Sequence, residues 1–289
     1  MSFPVVIFGS SGFIGRKLTR AIESIYEEVG QVLVVSRVFF DCPSETEINS
    51  LAKKIDRQST MVIASGVKKQ NGDNLESFGT NIDIAKVICK LIAISPPQRV
   101  IFISSAAVYG GEFRDEVICE KSIPRPDSYY GAAKYCSELI IEKTCREFDV
   151  NSYIFLRPPL VYGLGDTSLS YGPLGMLHEA TTDKTITLWG DGEELREFVY
   201  IDDFCEVVLC LLESHYQGPL NVVTGASLSF RSIADEIVFR YPPVKLFFSR
   251  RTKAQFDAHF DNKKLREVLG TEIKFTSIKE GLKRMIERG

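Results

Sequence analysis

Short apolar runs rich in β-branched residues alternate with longer segments of helical character along the first half of the chain. Such runs are typical of buried parallel strands, and their alternation with helices predicts a doubly wound, mostly parallel α/β sheet. The predicted strands lie near residues 3–8, 31–36, 60–64, 99–103 and 152–157. The predicted helices lie near residues 13–27, 44–56, 75–94 and 129–148.

The connection between the second and third apolar runs is short. About 23 residues separate 31–36 from 60–64. A crossover between parallel strands takes a dozen or more residues, so this connection has room for one helix but not for an additional strand. We therefore expect a sheet with one shortened half, in which an edge strand is reduced or missing.

From about residue 164 the pattern breaks into glycine-rich and polar segments. Pieces of strand and helix return around residues 185–189, 202–214, 220–223 and 229–240. We therefore expect a first domain over residues 1–163 and a smaller lobe over residues 164–289, with the segments near 202–223 returning to the first domain.

Composition and charge exclude several classes of function. The chain has 289 residues, 44% of them hydrophobic, which allows a substantial core. A net charge of -3 argues against a general nucleic-acid binder. The seven cysteines form no CxxC pair and are scattered through apolar segments, which favours free thiols in a reducing compartment.

The sequence predicts neither a metal site nor a membrane segment. The three histidines, His178, His215 and His259, lie far apart and show no metal-ligand spacing. No apolar stretch approaches the ~18 residues of a membrane span, and the N-terminus has no signal-peptide pattern. We expect a cytoplasmic protein without a membrane or nucleic-acid partner.

The apolar run Val5–Phe8 leads directly into the segment Gly9-Ser10-Ser11-Gly12-Phe13-Ile14-Gly15, after which the pattern is helical. A strand, a glycine-rich turn and a helix in this order are typical of a dinucleotide-binding site, where the N–H groups of the helix N-terminus bind phosphates. The first glycine permits the tight turn, the second lets the backbone approach a pyrophosphate, and the third lets helix and strand pack closely. We predict cofactor binding by Gly9, Ser11, Gly12, Phe13, Ile14 and Gly15, and at the end of the third strand by Ala64, Ser65 and Gly66.

Tyr130 and Lys134 lie four residues apart in a predicted helix. At that spacing the two side chains share one face, with Cβ atoms roughly 6 Å apart. We expect the ammonium to lower the tyrosine pKa from its usual value near ~10, so that the phenol can exchange a proton with a secondary alcohol while a nicotinamide carries a hydride. For the pair alone, a packed tyrosine beside a solvated lysine is the alternative. Tyr241 and Lys245 have the same spacing, but two prolines between them exclude a helix.

The end of the second predicted strand bears on the choice of nicotinamide cofactor. An NAD site usually has an acidic residue about 20 residues past the glycine motif, where it holds the ribose 2′-OH. Counting from Gly15 reaches Ser36 and Arg37 rather than a carboxylate. A guanidinium binds a phosphate with two hydrogen bonds, so we predict NADP, with NAD and an exposed arginine without this role as alternatives. Asp41 is the nearby carboxylate that is placed to contact adenine.

Two motifs, Gly9-x-x-Gly12-x-x-Gly15 and Tyr130-x-x-x-Lys134, resemble those of the short-chain dehydrogenase/reductase superfamily. Further segments are similar to its extended branch, the NAD(P)-dependent nucleotide-sugar epimerases, dehydratases and reductases such as UDP-glucose 4-epimerase. These segments cover residues 101–110, 156–163, 189–203 and 261–282. The resemblance spans almost the entire chain and implies a Rossmann-type sheet with a small C-terminal substrate lobe.

The resemblance implies roles for the residues of the candidate catalytic site. Tyr130 is expected to act as acid and base, Lys134 to lower its pKa and bind the nicotinamide ribose, and Ser105 to donate a hydrogen bond to the reacting oxygen. Asn81 matches an asparagine that the family places in the helix beside the site, with a helix-stabilising amide as the alternative.

The resemblance also implies contacts with cofactor and substrate. Ser104 and Pro158 are expected near the cofactor, and either Ser104 or Ala106 is expected to position the substrate. Arg196 is the first candidate for binding a substrate diphosphate, and Arg231 is a weaker second one. The alternative for Arg196 is a surface salt bridge to one of the acidic neighbours Glu193, Glu194 and Glu197.

Within this family, the residues after the active-site serine distinguish the reactions. The 4,6-dehydratases carry an acidic pair there, whereas this chain has Ala106 and Ala107, so a dehydratase is disfavoured. We expect an NDP-4-keto-sugar reductase that uses NADPH, with an NDP-hexose 4-epimerase that retains NAD as the alternative. A non-catalytic NADP-binding sensor or scaffold is a third reading. The family also implies a nucleotide-sugar substrate and a homodimer in which the helices of Tyr130 and Asn81 pack against their mates.

Overall fold

The structure is a computed structural model that describes residues 4–26, 31–111, 117–166, 172–251, 255–270 and 273–288. Residues 3 and 27, the outer ends of the first predicted strand and helix, lie outside these ranges. Every strand and helix predicted for the first half of the chain is present. These elements are β1 (Val5–Phe8), α1 (Phe13–Glu23), β2 (Val32–Val35), α2 (Glu45–Ala52), β3 (Thr60–Ile63), α3 (Leu75–Ile94), β4 (Arg99–Ile103), α4 (Tyr129–Glu147) and β5 (Ser152–Arg157).

The second half contains shorter strands and helices. They are β6 (Leu160–Tyr162), α5 (Gly172–Thr182), β7 (Thr185–Trp189), β8 (Leu195–Arg196), β9 (Phe198–Tyr200), α6 (Ile201–Leu211), β10 (Gly218–Asn221), β11 (Leu228–Ser229), α7 (Phe230–Arg240), β12 (Lys245–Ser249), α8 (Lys263–Leu269) and α9 (Ile278–Arg288). Tyr241 follows the end of α7 and Lys245 begins β12, which confirms that this second tyrosine–lysine pair does not share a helix.

A six-stranded parallel sheet has the strand order β10-β5-β4-β3-β1-β2. The chain moves outward from β1 to β2, then returns to the other side of β1 and continues through β3, β4 and β5. The sheet is therefore doubly wound, as predicted, and its direction of winding switches between β1 and β3. Ligands of such sheets bind in the crevice outside the carboxyl ends of the strands at this switch point.

The shortened half of the sheet is also confirmed. Within the described residues, β2 is the edge strand on this side, and α2 is the one α-helix that crosses from it to β3. The helix begins at a capping box in which Ser44 accepts a hydrogen bond from the Glu47 amide and the Glu47 carboxylate accepts one from the Ser44 amide.

The sheet separates two apolar cores. Side chains of successive strand residues point to opposite faces. Val5 and Ile7 accordingly pack in the core that includes α1 and α6. Val6 and Phe8 pack in the core that includes α2, α3 and α4. Burial on both faces explains why these strands are continuous apolar runs in the sequence.

The strands from Leu160 onward, apart from β10, form two-stranded sheets. β7 pairs with β12, β8 with β11, and β6 with β9. Two elements of this half join the first: β10 adds to the main sheet beside β5, and α6 contacts α1, where Lys17 and Asp202 form an ion pair of 2.9 Å. Among the described helices, none is long and apolar enough to cross a membrane.

Candidate active site

The glycine-rich turn connects β1 to α1 at the switch point of the sheet. Gly9 has a φ of +84°, and its amide donates to the Val35 carbonyl at 2.7 Å. A Cβ atom at Gly15 would lie 2.0 Å from the Gly9 carbonyl oxygen, so only glycine lets α1 start this close to the turn. Gly12 precedes the helix, and no side chain caps its first turn. The helix N–H groups at this end are therefore available to an anion.

The end of β3 forms the other wall of this crevice. Ala64 donates its amide to the Phe8 carbonyl, which places the Ala64–Ser65–Gly66 segment beside the glycine turn. The Ser65 Oγ is buried without a hydrogen-bond partner among the described residues, and it would lie 2.7 Å from a Cβ atom at Gly9. An unpaired buried hydroxyl beside a backbone without side chains fits a phosphate or ribose of a bound dinucleotide.

Tyr130, Lys134 and Ser105 lie close together at the carboxyl end of β4. The Lys134 Nζ lies 5.9 Å from the centre of the Tyr130 ring, which confirms that the two side chains share a face of α4. This ammonium donates to the Ile103 carbonyl at 2.7 Å and lies 4.7 Å from the centre of the Phe102 ring. It is therefore fixed in position at the end of β4.

The ionisation of this pair differs from the prediction. Burial raises the pKa of Tyr130, and a hydrogen bond with the Ser105 side chain opposes this effect. Burial also lowers the pKa of Lys134 to about 8, although the Glu138 carboxylate acts to raise it. The predicted lowering of the Tyr130 pKa by Lys134 is thus wrong for the chain alone, because desolvation outweighs the hydrogen bond with Ser105.

Helix α4 starts at the place where Tyr130 is needed. Ser128 caps it by accepting from the Gly131 amide at 3.1 Å. Asp73, which follows β3 in the chain, accepts from the Tyr130 amide at 2.9 Å. These bonds tie the first turn of α4 to the loop after β3 and thereby hold the phenol beside the crevice.

Asn81 connects the same loop to α3. Its Oδ1 accepts from the Val67 amide at 2.9 Å, and its Nδ2 donates to the carbonyls of Val67 and Ser77 at 3.1 and 3.0 Å. Oδ1 also lies 3.1 Å from the position of a Cβ at Gly66, where the Lys134 Nζ lies at 3.3 Å. The amide therefore supports the crevice wall that faces the lysine.

A buried polar chain runs beneath the site. The Ser104 Oγ donates to the Glu138 carboxylate at 2.5 Å, and Glu138 forms an ion pair with Arg157, whose Nη2 lies 2.5 Å from Oε2. Arg157 in turn donates to the Tyr109 hydroxyl at 3.0 Å, and Tyr109 donates to Asn221 at 2.8 Å. This series of hydrogen bonds links α4 to the ends of β4, β5 and β10. It includes the Ser104 hydroxyl, which the sequence analysis assigned to cofactor or substrate binding.

Other predicted residues lie around the crevice. The Ala106 amide donates to the Pro158 carbonyl at 2.8 Å, which joins the serine loop to the end of β5. The Ser105 Oγ accepts from the Ala107 amide at 3.1 Å, and the same side chain is hydrogen-bonded to Tyr130. Ser36 and Arg37 follow β2 and are exposed, and Asp41 follows the short 3₁₀ helix there. Among the described residues, no side chain forms an ion pair with Arg37.

The two predicted diphosphate ligands have protein partners. Arg196 pairs with Glu194 and donates to the carbonyls of Leu195 and Phe256. Arg231 pairs with Asp235 at 2.9 Å within α7. Sequence reasoning missed Arg251, which also pairs with Glu194, at 2.5 Å. It missed Asp73 and Glu138 as well, although Glu138 lies four residues after Lys134 and this spacing is a signal that the sequence contains.

The crevice, the glycine turn and the Ser105–Tyr130–Lys134 group define a class of protein. This is a Rossmann-type enzyme of the extended short-chain dehydrogenase/reductase class. The described residues hold no cluster of three or more histidine, cysteine or carboxylate side chains suited to a metal ion. The profile of the NAD dependent epimerase/dehydratase family matches residues 5–223, and the chain belongs to this family.

Individual proteins resemble the chain over most of its length. It is 25% identical to GDP-6-deoxy-D-talose 4-dehydrogenase of Aggregatibacter actinomycetemcomitans over 97% of this chain and 96% of that protein. It is 29% identical to dTDP-4-dehydro-6-deoxy-D-allose reductase of a Streptomyces species over 81% of this chain and 80% of that protein. The structure of UDP-glucuronic acid 4-epimerase from Bacillus cereus with UDP-glucuronic acid and NAD superposes with a TM-score of 0.82 at 18% identity, covering 98% of each chain.

Proposed function

We propose that the protein reduces the C4 ketone of a nucleoside-diphosphate 4-keto-sugar with NADPH. The observation that carries this proposal is the group formed by Tyr130, Lys134 and Ser105 beside the dinucleotide crevice. A phenol and a hydroxyl that converge next to a bound nicotinamide suit the interconversion of a ketone and a secondary alcohol.

Tyr130 is suited to the acid role in a reduction, because its raised pKa keeps the phenol protonated at neutral pH. A tyrosine that keeps its proton at neutral pH is an acid, and a ketone oxygen that receives a hydride at carbon needs a proton. When bound, the nicotinamide supplies that hydride. Tyr130 donates its proton from Oη to the ketone oxygen, and Ser105 donates a hydrogen bond to the same oxygen. The Lys134 ammonium, held by the Ile103 carbonyl, stabilises the phenolate that remains.

The substrate class is inferred from the relatives. Both curated proteins described above are named as acting on nucleoside-diphosphate sugars, one as a 4-dehydrogenase and one as a reductase of a 4-dehydro sugar. Each of these names describes oxidation or reduction at C4. Ala106 and Ala107 have no acidic group, and this argues against elimination of water by the same site.

The preference for NADPH is inferred from the end of β2. Ser36 and Arg37 are exposed where the adenosine ribose of a dinucleotide is expected, and the side chains there include no carboxylate before Asp41. An exposed guanidinium without an ion-pair partner among the described residues is suited to a 2′-phosphate. Ser104, Pro158 and Asn81 would shape the crevice around the nicotinamide through the hydrogen bonds described above.

The main alternative is a 4-epimerase that retains NAD, since the same three side chains serve both reactions. Denaturing freshly purified protein and identifying the released nucleotide by chromatography and mass spectrometry separates the two. We expect little bound NAD, and tighter binding of NADPH than of NADH to the empty protein. Stoichiometric NAD would instead indicate the epimerase and would contradict the role of Arg37.

A further inference from the structure

The Glu194 carboxylate lies between two guanidinium groups from separate parts of the chain. One oxygen accepts from Nη2 of Arg196, in β8, and the other accepts from Nη1 of Arg251, after β12, at 2.5 Å. The three side chains are partly buried, with 17% to 23% of each exposed. Two guanidiniums that converge on one oxyanion form the geometry of an anion site, and here a side chain of the protein itself occupies it.

The backbone holds both arginines independently of Glu194. Arg196 donates through Nη1 to the carbonyls of Leu195 and Phe256. Arg251 donates through Nη2 to the Trp189 carbonyl at 3.3 Å. It also lies against Gly190, where a Cβ atom would come within 2.9 Å of Nε. Backbone carbonyls therefore hold one edge of each guanidinium. The other edge faces Glu194, and there the carboxylate can be replaced by a different anion.

The charges of this cluster do not balance. Among these three side chains, one carboxylate pairs with two guanidiniums, which is an excess of one positive charge. The Asp257 carboxylate lies nearby and accepts from the Leu195 amide. A diphosphate carries more charge and more acceptor oxygens than a carboxylate and matches two guanidiniums better. Arg231 differs, because Asp235 pairs with it inside α7 and its guanidinium lies over the Phe248 ring at 5.4 Å.

The cluster is connected to the catalytic group through Phe256. The Phe256 carbonyl holds Arg196, and its ring lies 3.6 Å from the position of a Cβ atom at Gly111. Gly111 donates its amide to Asp127, just before α4 and Tyr130. Phe256 therefore contacts both Arg196 and the loop that leads to α4.

We propose that Glu194 is a resident counter-ion, which fills the anion site of Arg196 and Arg251 until a diphosphate displaces it. The inference that this diphosphate belongs to a nucleotide sugar rests on the proposed function. In the free protein the Glu194 carboxylate offsets part of the positive charge of the two arginines. Its release weakens substrate binding by the free energy that the release requires. Removing the charge of Glu194 should therefore strengthen the binding of a diphosphate.

The test is calorimetric titration of inorganic pyrophosphate into the wild type, E194Q and E193Q. Glutamine keeps the size of the side chain and removes its charge. Glu193 is the matched control, because it is adjacent and exposed and forms no ion pair with the described residues. We expect E194Q to bind pyrophosphate about tenfold more tightly than the wild type, as expected for loss of a directly competing charge. E193Q should remain within about twofold, since exposed charges are well screened.

Unchanged or weaker binding by a folded E194Q, checked by its thermal unfolding midpoint, would overturn the proposal. An equal gain in E193Q would also overturn it, because the effect would then come from net charge. Titrations with UDP, GDP and dTDP separate this proposal from the proposed function. If pyrophosphate binding improves but none of the three nucleotides binds, the counter-ion stands and the substrate class fails. If the nucleotides bind wild type and E194Q equally, the counter-ion fails and the substrate class stands.

Discussion

At the scale of single residues, Tyr130 is the proposed proton donor. The Ser105 side chain is its hydrogen-bonding partner, and Lys134 lies beneath its ring. A Tyr130→Phe variant keeps the ring and loses the hydroxyl group with its proton, so we expect turnover to fall by at least about 100-fold. Cofactor affinity, measured by fluorescence titration, should change little. Tyr129→Phe is the control, because Tyr129 is exposed at the start of the same helix; activity that survives in Y130F would contradict the assignment.

The burial of Lys134 predicts how the free energy of unfolding changes with pH. Its pKa is about 8 in the folded chain, against 10.5 as its ordinary value, because burial disfavours the charged form. Between these values the unfolded chain binds more protons than the folded one, so stability rises with pH across that window and the penalty is fully present below it. The free energy of unfolding of the wild type minus that of K134M should therefore rise by on the order of 3 kcal/mol from pH 8 to 10.5. Urea denaturation at several pH values measures this difference, and a flat difference would show that Lys134 is not desolvated.

The spacing of Tyr130 and Lys134 could be predicted from the sequence because a helix places residues four apart on one face. The ionisation of the pair could not be predicted in this way. The pKa of Lys134 depends on its burial and on the nearby Glu138 carboxylate. That carboxylate is held in an ion pair by Arg157, a residue at the end of β5. The same limitation hid Arg251, since its partner Glu194 is far from it in sequence.

At the scale of elements, the turn between β1 and α1 has a stricter steric requirement than its glycine pattern indicates. A Cβ atom at Gly15 would lie 2.0 Å from the Gly9 carbonyl oxygen. We expect Gly15→Ala to destabilise the protein by about 1–3 kcal/mol and to weaken cofactor binding, because α1 must move away from the turn.

Gly79 is the matched control in α3. A Cβ atom there meets nothing within 4 Å. Gly79→Ala should therefore stabilise the protein by about 0.5–1 kcal/mol through helix propensity and leave cofactor binding unchanged. Chemical denaturation of both variants measures the two effects, and equal stabilities of G15A and the wild type would contradict the role of the third glycine.

The long elements of the first half could be predicted because each buries one regular apolar pattern. The short elements of the second half were less predictable. Helix α5 begins with Gly172 and Pro173, which are signals of a loop, and it is nevertheless stabilised by burial of Met176, Leu177 and Ala180. Strands of two or three residues such as β8 and β11 pair with distant segments, so no local pattern identifies them.

At the scale of the whole molecule, α3 and α4 pack side by side and leave apolar side chains exposed. Leu139 in α4 is 48% exposed, and Leu75 and Ile94 at the ends of α3 are more exposed still. We propose that a second copy covers this face. Light scattering should give a dimer for the wild type and a monomer for Leu139→Asp. Phe239→Asp, on α7, should remain a dimer although Phe239 is 82% exposed. A monomeric wild type would contradict this assembly.

In the proposed reaction, hydride from NADPH arrives at C4 of a nucleoside-diphosphate sugar. The most direct measurement uses NADPH that carries deuterium at its transferable position, together with dTDP- and GDP-linked 4-keto-6-deoxyhexoses. We predict consumption of one NADPH for each sugar and one deuterium at C4 of the product, located by nuclear magnetic resonance. NADPH that is not consumed, or a product without deuterium at C4, would contradict the reductase.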